Sequence, residues 1–511
     1  MDRLSLRTLP QVPEPARPPL DPEAVSVGIV HLGIGAFFRA HQAVFTEEAM
    51  AASGDSSWGV CGVTQRSRTV LDQLAPQDGL SSVLVRDASG SVLRVNAAVR
   101  ELLAAPDDPE AVVARIADPA VRLVTLTVTE KGYRHDPATG RLREDDADVL
   151  ADAGGRPPRT VVGQLVRGFQ RRRATGAGPI TVLSCDNLPS NGRVLARLVR
   201  DFCGMLPEGE RADVEEWLAN VSFPCSMVDR IAPSTTGADR GEAANLLGLL
   251  DEGVVVTEPF RQWVIEDSFA AGRPAWERAG AVLTDDVAPY ERMKLRLLNG
   301  SHSTIAYLGG LAGHAYVADA VADGDLAQLV RRLMRDEVAP TLDVPDGFDL
   351  AAYQEQLLER FANPALRHRT AQIAMDGSQK LPQRLLDTVR ERLAAGTEPR
   401  LACLAVAGWM RYLTAGSAAD GTALPVDDPL AGRIAELVAS ANGPADVADA
   451  LLSLRAVFGT DLPVNRVFRG LVVDSLERLT RDGVLPAVRA ALSPGAHTGM
   501  RRPSLSGAGE G

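Results

Sequence analysis

The pattern of apolar and polar positions changes character near residue 285. Before that point, apolar runs of strand length recur at Val25–Leu32, Trp58–Val63, Ser81–Val85, Leu123–Val128 and Ile180–Leu183. Helical spacing lies between several of them, as over Pro109–Ile116 and Thr160–Arg173. Strand alternating with helix predicts an α/β fold with a mostly parallel, doubly wound sheet. From Ala288 to about Leu492 strand signals almost vanish. Helical spacing recurs over Tyr290–Leu311, Asp325–Asp336, Leu350–Phe361, Pro382–Ala394, Glu398–Thr414, Pro429–Ala439, Ala445–Phe458 and Asn465–Asp482. The expected organisation is a Pro-rich N-terminal arm or tail (1–21), a dinucleotide-binding domain (22–285), an all-helical domain (286–492) and a Gly/Ser/Pro-rich disordered tail (493–511).

A chain of 511 residues exceeds one ordinary core, which agrees with two domains. The net charge of −12 argues against a nucleic-acid partner, which would select a basic stripe, but it leaves a locally basic pocket open. No run approaches the roughly 18 apolar residues of a membrane span. The opening MDRLSLRTLPQVPEPARPPL lacks the apolar segment of a secretory signal. The cysteines (Cys61, Cys185, Cys203, Cys225, Cys403) are odd in number and scattered, with no C-x-x-C pair. A cytoplasmic protein without a zinc site is expected.

One bias directs the search for chemistry. The chain has three lysines, Lys131, Lys294 and Lys380, against 51 arginines. Arginine serves as well for surface charge, but only lysine gives up its proton near neutral pH when desolvated. A retained lysine is therefore a candidate base, or a chance survivor.

Val25–Leu32 runs into Gly33-Ile34-Gly35 and then a helical stretch. Glycines at a strand-to-helix turn let the backbone approach a pyrophosphate. Phe38 occupies the third glycine position of G-x-G-x-x-G. The alternative is an ordinary tight turn. Cofactor contacts are expected from Gly33, Ile34, Gly35, Phe37 and Phe38. No acid follows Val63 before Asp72; Arg66 and Arg68 stand there instead. They suit a ribose 2′-phosphate, so NADP is a possible cofactor beside NAD, or they are solvated loop arginines.

The stretch PYERMKLRLLNGSHSTIAYLGGL carries the densest constellation. On an ideal helix at about 100° per residue, with Lys294 at zero, Glu291 falls near 60°, His302 near 80° and Asn299 near 140°. Lys294 suits a base that takes an alcohol proton as hydride leaves, Asn299 a donor to the oxygen, His302 a group orienting a hydroxyl, and Glu291 a relay outward. A solvent-facing polar stripe is the alternative, and the apolar flanks speak against it. Asn187, in Ser-Cys-Asp-Asn after Ile180–Leu183, and Glu130, after Leu123–Val128, follow strand ends where such sheets bind ligands. Asn187 also lies in DNLPSNG, which reads equally as a turn. A basic cluster at His368-Arg369 and Lys380 to Arg384 suits a carboxylate or polyhydroxylated substrate, or is a surface patch.

LGIGAFFRAHQ, TVTEKGY, SCDNLPSNG, FPCSMVDRIAP, EPFRQWVIED and KLRLLNGSH, in order over residues 26–485, resemble the long-chain mannitol dehydrogenase family. The resemblance implies a Rossmann-type N-terminal domain, a helical C-terminal domain, an active site between them and no metal; members of the family are often monomers, and the sequence leaves the oligomeric state open. It implies Lys294 as acid/base, Asn187 and Asn299 as the oxyanion-holding pair, His302 as a substrate-positioning residue, Glu291 as a proton-channel carboxylate and Glu130 as a second carboxylate. Val228, Asp229 and Lys380 match residues of the sugar site. NPALRHRTAQIAMDGSQKLPQR is most similar to fructuronate reductases (D-mannonate oxidoreductases), which would have Arg369 meet a substrate carboxylate. The absent acid after Val63 departs from NAD-specific mannitol enzymes. The expectation is an NAD(P)-dependent interconversion of D-fructuronate and D-mannonate. Alternatives are a mannitol or arabinitol 2-dehydrogenase, an isomerase or epimerase with tightly held cofactor, and a catalytically silent nucleotide sensor.

Overall fold

Strand Val27–Leu32 (β1) is buried on both faces from Gly28 onward, as a strand must be when helices cover both sides of its sheet. In the computed structural model, which describes residues 1–136 and 139–493, β1 lies between two parallel neighbours. Gly59–Thr64 (β2), Val99–Ala104 (β3), Leu123–Leu126 (β4), Ile180–Ser184 (β5) and Val221–Ser222 (β6) complete a six-stranded sheet in the order β3-β2-β1-β4-β5-β6. All of its pairings are parallel. This is the dinucleotide-binding order, and the direction of winding reverses between β1 and β4. Ligands of such sheets bind beyond the strand ends at that reversal.

The crossover helices begin and end where their sequences dictate. Asp108 caps Pro109–Ala117 by accepting from the Ala111 N–H. Thr160 does the same for Val161–Thr175 through Gly163, and Gly176 ends that helix in the left-handed conformation.

Two expectations are corrected. Ser81–Asp87 forms a strand but not in the main sheet; a short turn returns it antiparallel along Gly90–Asn96, and Val255–Thr257 pairs on its other side. Its expected place is taken by β3, whose half-exposed sequence VRELLA shows no apolar run. A third sheet joins Ser226–Asp229, Gln262–Glu266 and Val282–Thr284. The Pro-rich start is not a loose tail: Leu4, Val12 and Ala16 are buried in a cluster with Leu80, Leu84 and Leu247, and the Leu4 N–H donates to the Leu250 carbonyl at 2.8 Å. The expected disordered tail lies, from residue 494 onward, outside the described residues.

This first compact unit runs from Met1 to Glu291 and the second starts at Arg292. The second unit is helical, and its described residues include only isolated β-bridges. Leu350–Phe361 matches expectation residue for residue. The expected helix over Tyr290–Leu311 instead comprises Ala288–Met293, a π-helical segment Lys294–Asn299, and Gly300–Leu311. Leu333–Val338 and Pro382–Leu386 are also π-helical. No helix of the described residues is long and apolar enough to cross a membrane.

Candidate active site

The turn after β1 is shaped by contact with β4. Gly33 has φ 102°, and a Cβ there would overlap the Thr127 carbonyl oxygen. The Thr127 hydroxyl donates to the Gly33 carbonyl at 2.8 Å. His31 Nδ1 lies 2.7 Å from the Thr125 hydroxyl and Nε2 lies 2.9 Å from that of Thr127. Burial pushes the His31 imidazole down to about 3, so it is neutral. Phe38 stacks on it, ring centroids 3.7 Å apart, which accounts for a ring at the third glycine position. Gly35 differs from Gly33: its φ is ordinary, and a Cβ would meet only the Gly33 carbonyl, at 3.8 Å. That open space is the approach a pyrophosphate requires. The side chains of Ile34 and Phe38 lie in the core, and Phe37 stacks on His41 at 5.1 Å. Arg66 follows the end of β2, whereas Arg68 is ion-paired with Asp107 and Asp72.

Beyond β4 and β5 the turns are joined by a carboxylate. Asp186, 8% exposed, accepts from the Val128 N–H (3.0 Å), the Thr129 N–H (2.9 Å) and the Tyr133 hydroxyl (2.7 Å). Burial pushes its carboxyl up, and these bonds oppose the shift. Glu130 and Asn187, both exposed, follow on either turn. Buried Asn191 donates to the carbonyls of Asp186 and Ser226 and accepts from the Ser226 N–H, which anchors the strand bearing Val228 and Asp229. The Glu291 carboxylate accepts from the Ser190 N–H at 3.2 and 3.1 Å and so lies against the Asn187 loop.

In the second unit, Lys294 (7% exposed) opens the π-helical segment and Asn299 (7%) closes it. The i→i+5 winding turns less per residue than an α-helix, so Asn299 comes nearer the Lys294 face than the expected 140°. The buried Asn299 Nδ2 has no hydrogen-bond partner. Arg296 fixes the segment from the opposite side, donating to Glu391 at 2.8 and 2.6 Å and to Thr341. Gly300 permits a close approach, since a Cβ would stand 2.7 Å from the Arg384 carbonyl oxygen. His302 packs on Phe361 and meets His368 edge-on at 5.3 Å. Burial holds its imidazole well below its ordinary value, and the charges of His368, Arg360 and Arg384 add to that.

The expected basic cluster divides. Arg369 is exposed and stacks over Tyr316 beside Arg367. The Lys380 ammonium donates to the Met375 carbonyl at 2.6 Å and stands 3.7 Å from Asp376. The arginines whose charge reaches His302 are Arg360 and Arg384. Sequence reading did not single out Arg360, Asp186, Tyr133, Asn191 or His31. Only Asp186 carried a local signal, by its place within Ser-Cys-Asp-Asn. Among the described residues no three His, Cys, Asp or Glu side chains group as a metal site.

Residues 27–278 match the mannitol dehydrogenase Rossmann domain and residues 286–480 the mannitol dehydrogenase C-terminal domain. The chain belongs to the mannitol dehydrogenase family. Within that family it is 43% identical to the D-mannonate oxidoreductase of Escherichia coli, over 93% of this chain and 98% of that one. It is 44% identical to the uncharacterized oxidoreductase YeiQ of the same organism, over 92% and 96%. Pseudomonas fluorescens mannitol 2-dehydrogenase, solved as a ternary complex with NAD and D-mannitol, superposes with a TM-score of 0.84 at 36% identity, covering 96% of this chain and 99% of that one. The chain is a dehydrogenase of the mannitol dehydrogenase type.

Proposed function

We propose that this dehydrogenase uses NAD to interconvert D-fructuronate and D-mannonate, with Lys294 as acid/base. The observation that carries the chemistry is the pairing, on one π-helical segment, of a buried lysine with a buried amide donor that the protein leaves unspent. A bound nicotinamide ring supplies the hydride acceptor for alcohol oxidation and the donor for ketone reduction. The open space at Gly35 and the strand order fit such a cofactor.

In oxidation the neutral Lys294 amine takes the proton of the secondary hydroxyl as its carbon loses hydride, and the product is a ketone and an ammonium. Asn299 and Asn187 donate to the oxygen while it carries negative charge, a contribution of about 3 kcal/mol per donor in comparable sites. Neutral His302 orients a neighbouring hydroxyl. Glu291, which accepts from the Ser190 N–H, relays the proton outward, and Glu130 is a second carboxylate at the site. Val228, Asp229 and Lys380 line the sugar. This assigns residues 22–285 to a dinucleotide-binding domain, which also contributes Glu130 and Asn187, and residues 286–492 to the helical domain that carries the acid/base.

Identity to the D-mannonate oxidoreductase and the positive surroundings of His302 favour a uronate over a neutral polyol. Arg369, with Arg360 and Arg384, is assigned to the substrate carboxylate. The similarity to mannitol 2-dehydrogenase supports a second reading, oxidation of mannitol or arabinitol. An absorbance assay separates them: D-mannonate, D-mannitol and D-arabinitol with NAD or NADP, and D-fructuronate and D-fructose with the reduced cofactors. Turnover confined to the sugar acids supports the proposal; turnover confined to neutral polyols replaces it. Activity with NADP would bring Arg66 and Arg68 to the 2′-phosphate.

A further inference from the structure

The turn after β4 holds a backbone conformation that its own residue disfavours. Thr129 has φ 65° and ψ 162°. Glycine enters that region freely, whereas a β-branched residue is strained there and stays only where its surroundings over-determine it. One carboxylate does so. Asp186 accepts from the N–H groups of Val128 and Thr129, one on each oxygen, and Tyr133 donates to it as a third partner. Ser184 Oγ, at the end of β5, lies 2.6 Å from the Tyr133 phenol, and Asn191, at the start of the following helix, holds the Asp186 carbonyl at 3.0 Å, so the clamp is fixed from both sides. Hydrogen bonds to an ionised acceptor are the stronger kind, and a buried one is not exchanged for water. The same segment reaches the cofactor turn through Thr127 and Gly33.

We propose that Asp186 is a positioning residue that locks the turns after β4 and β5 into one geometry. Its clamp fixes Glu130, the next residue after Thr129, against Asn187, the next residue after Asp186, and sets both relative to the cofactor turn. This rests on the reading of Asn187 and Glu130 as substrate-facing groups. Asparagine at 186 offers one acceptor oxygen where two backbone N–H groups need one each, so the strained turn relaxes.

The test compares Asp186→Asn, Thr129→Gly and the double variant in the full chain. Asp186→Asn is expected to lower kcat about 10²-fold, the scale of a small misplacement, while NADH affinity by fluorescence stays within about threefold. Thr129→Gly alone keeps kcat near that of the parent. In the double variant glycine reaches the required conformation unaided, and about tenfold of the lost kcat returns. A parent-like kcat in Asp186→Asn, or the same loss with Thr or Gly at 129, overturns the proposal. If Asp186→Asn does not fold, Tyr133→Phe carries the test, with kcat reduced about threefold to tenfold and faster amide exchange at 128–129 expected; no change in either overturns it. Should the parent chain turn over none of the sugar acids or polyols, the catalytic reading fails on its own. Deuterium uptake at 128–129 still decides the clamp, because Asp186→Asn must raise it.

Discussion

The turn after β4 and the segment that carries Lys294 both hold polar groups in buried surroundings, and they leave them in opposite states. Around Asp186 both carboxylate oxygens are engaged, and Asn191 behind it spends its amide on four backbone groups. In the Lys294 region the Asn299 Nδ2, the Ser301 hydroxyl and His368 Nδ1 are buried with no partner. An unsatisfied buried donor costs about 1–3 kcal/mol. On the proposed reading, a fold that satisfies one region and leaves the other short separates scaffold from chemistry: the first region sets positions, the second keeps donors for a ligand.

The largest effect belongs to the unspent region. Lys294→Ala should reduce alcohol oxidation by about 10³-fold, with NADH affinity nearly unchanged, and Lys294→Arg should not restore it because guanidinium keeps its proton. Normal turnover in Lys294→Ala would remove the lysine from the mechanism. Asn299→Ala should lower kcat about 10²–10³-fold. Its thermal stability should hold or rise, since the lost amide has an unpartnered nitrogen. Asn191→Ala should do the reverse, losing about 2–4 kcal/mol in denaturant unfolding by stranding several backbone groups. If both asparagines behave alike, the distinction between the regions fails.

The two glycines of the cofactor turn sharpen the same contrast within one loop. Gly33→Ala forces a Cβ into the Thr127 carbonyl at φ 102°, and should destabilise the unit by about 2–3 kcal/mol. Gly35→Ala meets no protein atom within 3.4 Å and should leave stability unchanged. It should weaken nucleotide binding by roughly tenfold or more, because the Cβ fills the approach space. Equal NADH affinity in Gly35→Ala would place the pyrophosphate elsewhere.

Much of this was legible in the chain itself, for reasons particular residues make plain. Lys294 stood out because almost every other basic residue is arginine, and Asn299 and His302 followed by spacing. The spacing misjudged the Asn299 angle because a π-helical segment leaves no mark in a pattern of apolar positions. β3 was missed because VRELLA is half-exposed at a sheet edge. Asp186 was passed over because its role is to accept from backbone groups 57 and 58 residues away, and such acceptors have no side-chain signature. Arg360 and Arg384 act on His302 through a fold that brings three helical stretches together, which no local window reveals.

The smallest effect compares the two units through buried acids. Glu47 in the first accepts from the Ala97 N–H, and burial pushes it up to about 8. Glu337 in the second accepts from the Leu401 and Ala402 N–H groups at the start of helix Arg400–Ala415, and burial pushes it up to about 7. Both folded values lie above the ordinary 4.5, so between 4.5 and the folded value the native state holds a proton that the unfolded chain has released. Stability is then greatest below 4.5 and falls as pH rises, by up to about 1.4 kcal/mol per pH unit for each group while it titrates. Glu47→Gln keeps the single acceptor that Ala97 uses, so it should match the parent at low pH and exceed it in alkali. Glu337→Gln also removes the pH slope, but it strands one helix N–H and should lose about 1 kcal/mol in acid. Thermal unfolding of both variants across pH separates a carboxylate that is merely buried from one that also caps a helix, and an unchanged slope in either would mean that its acid does not titrate in that range.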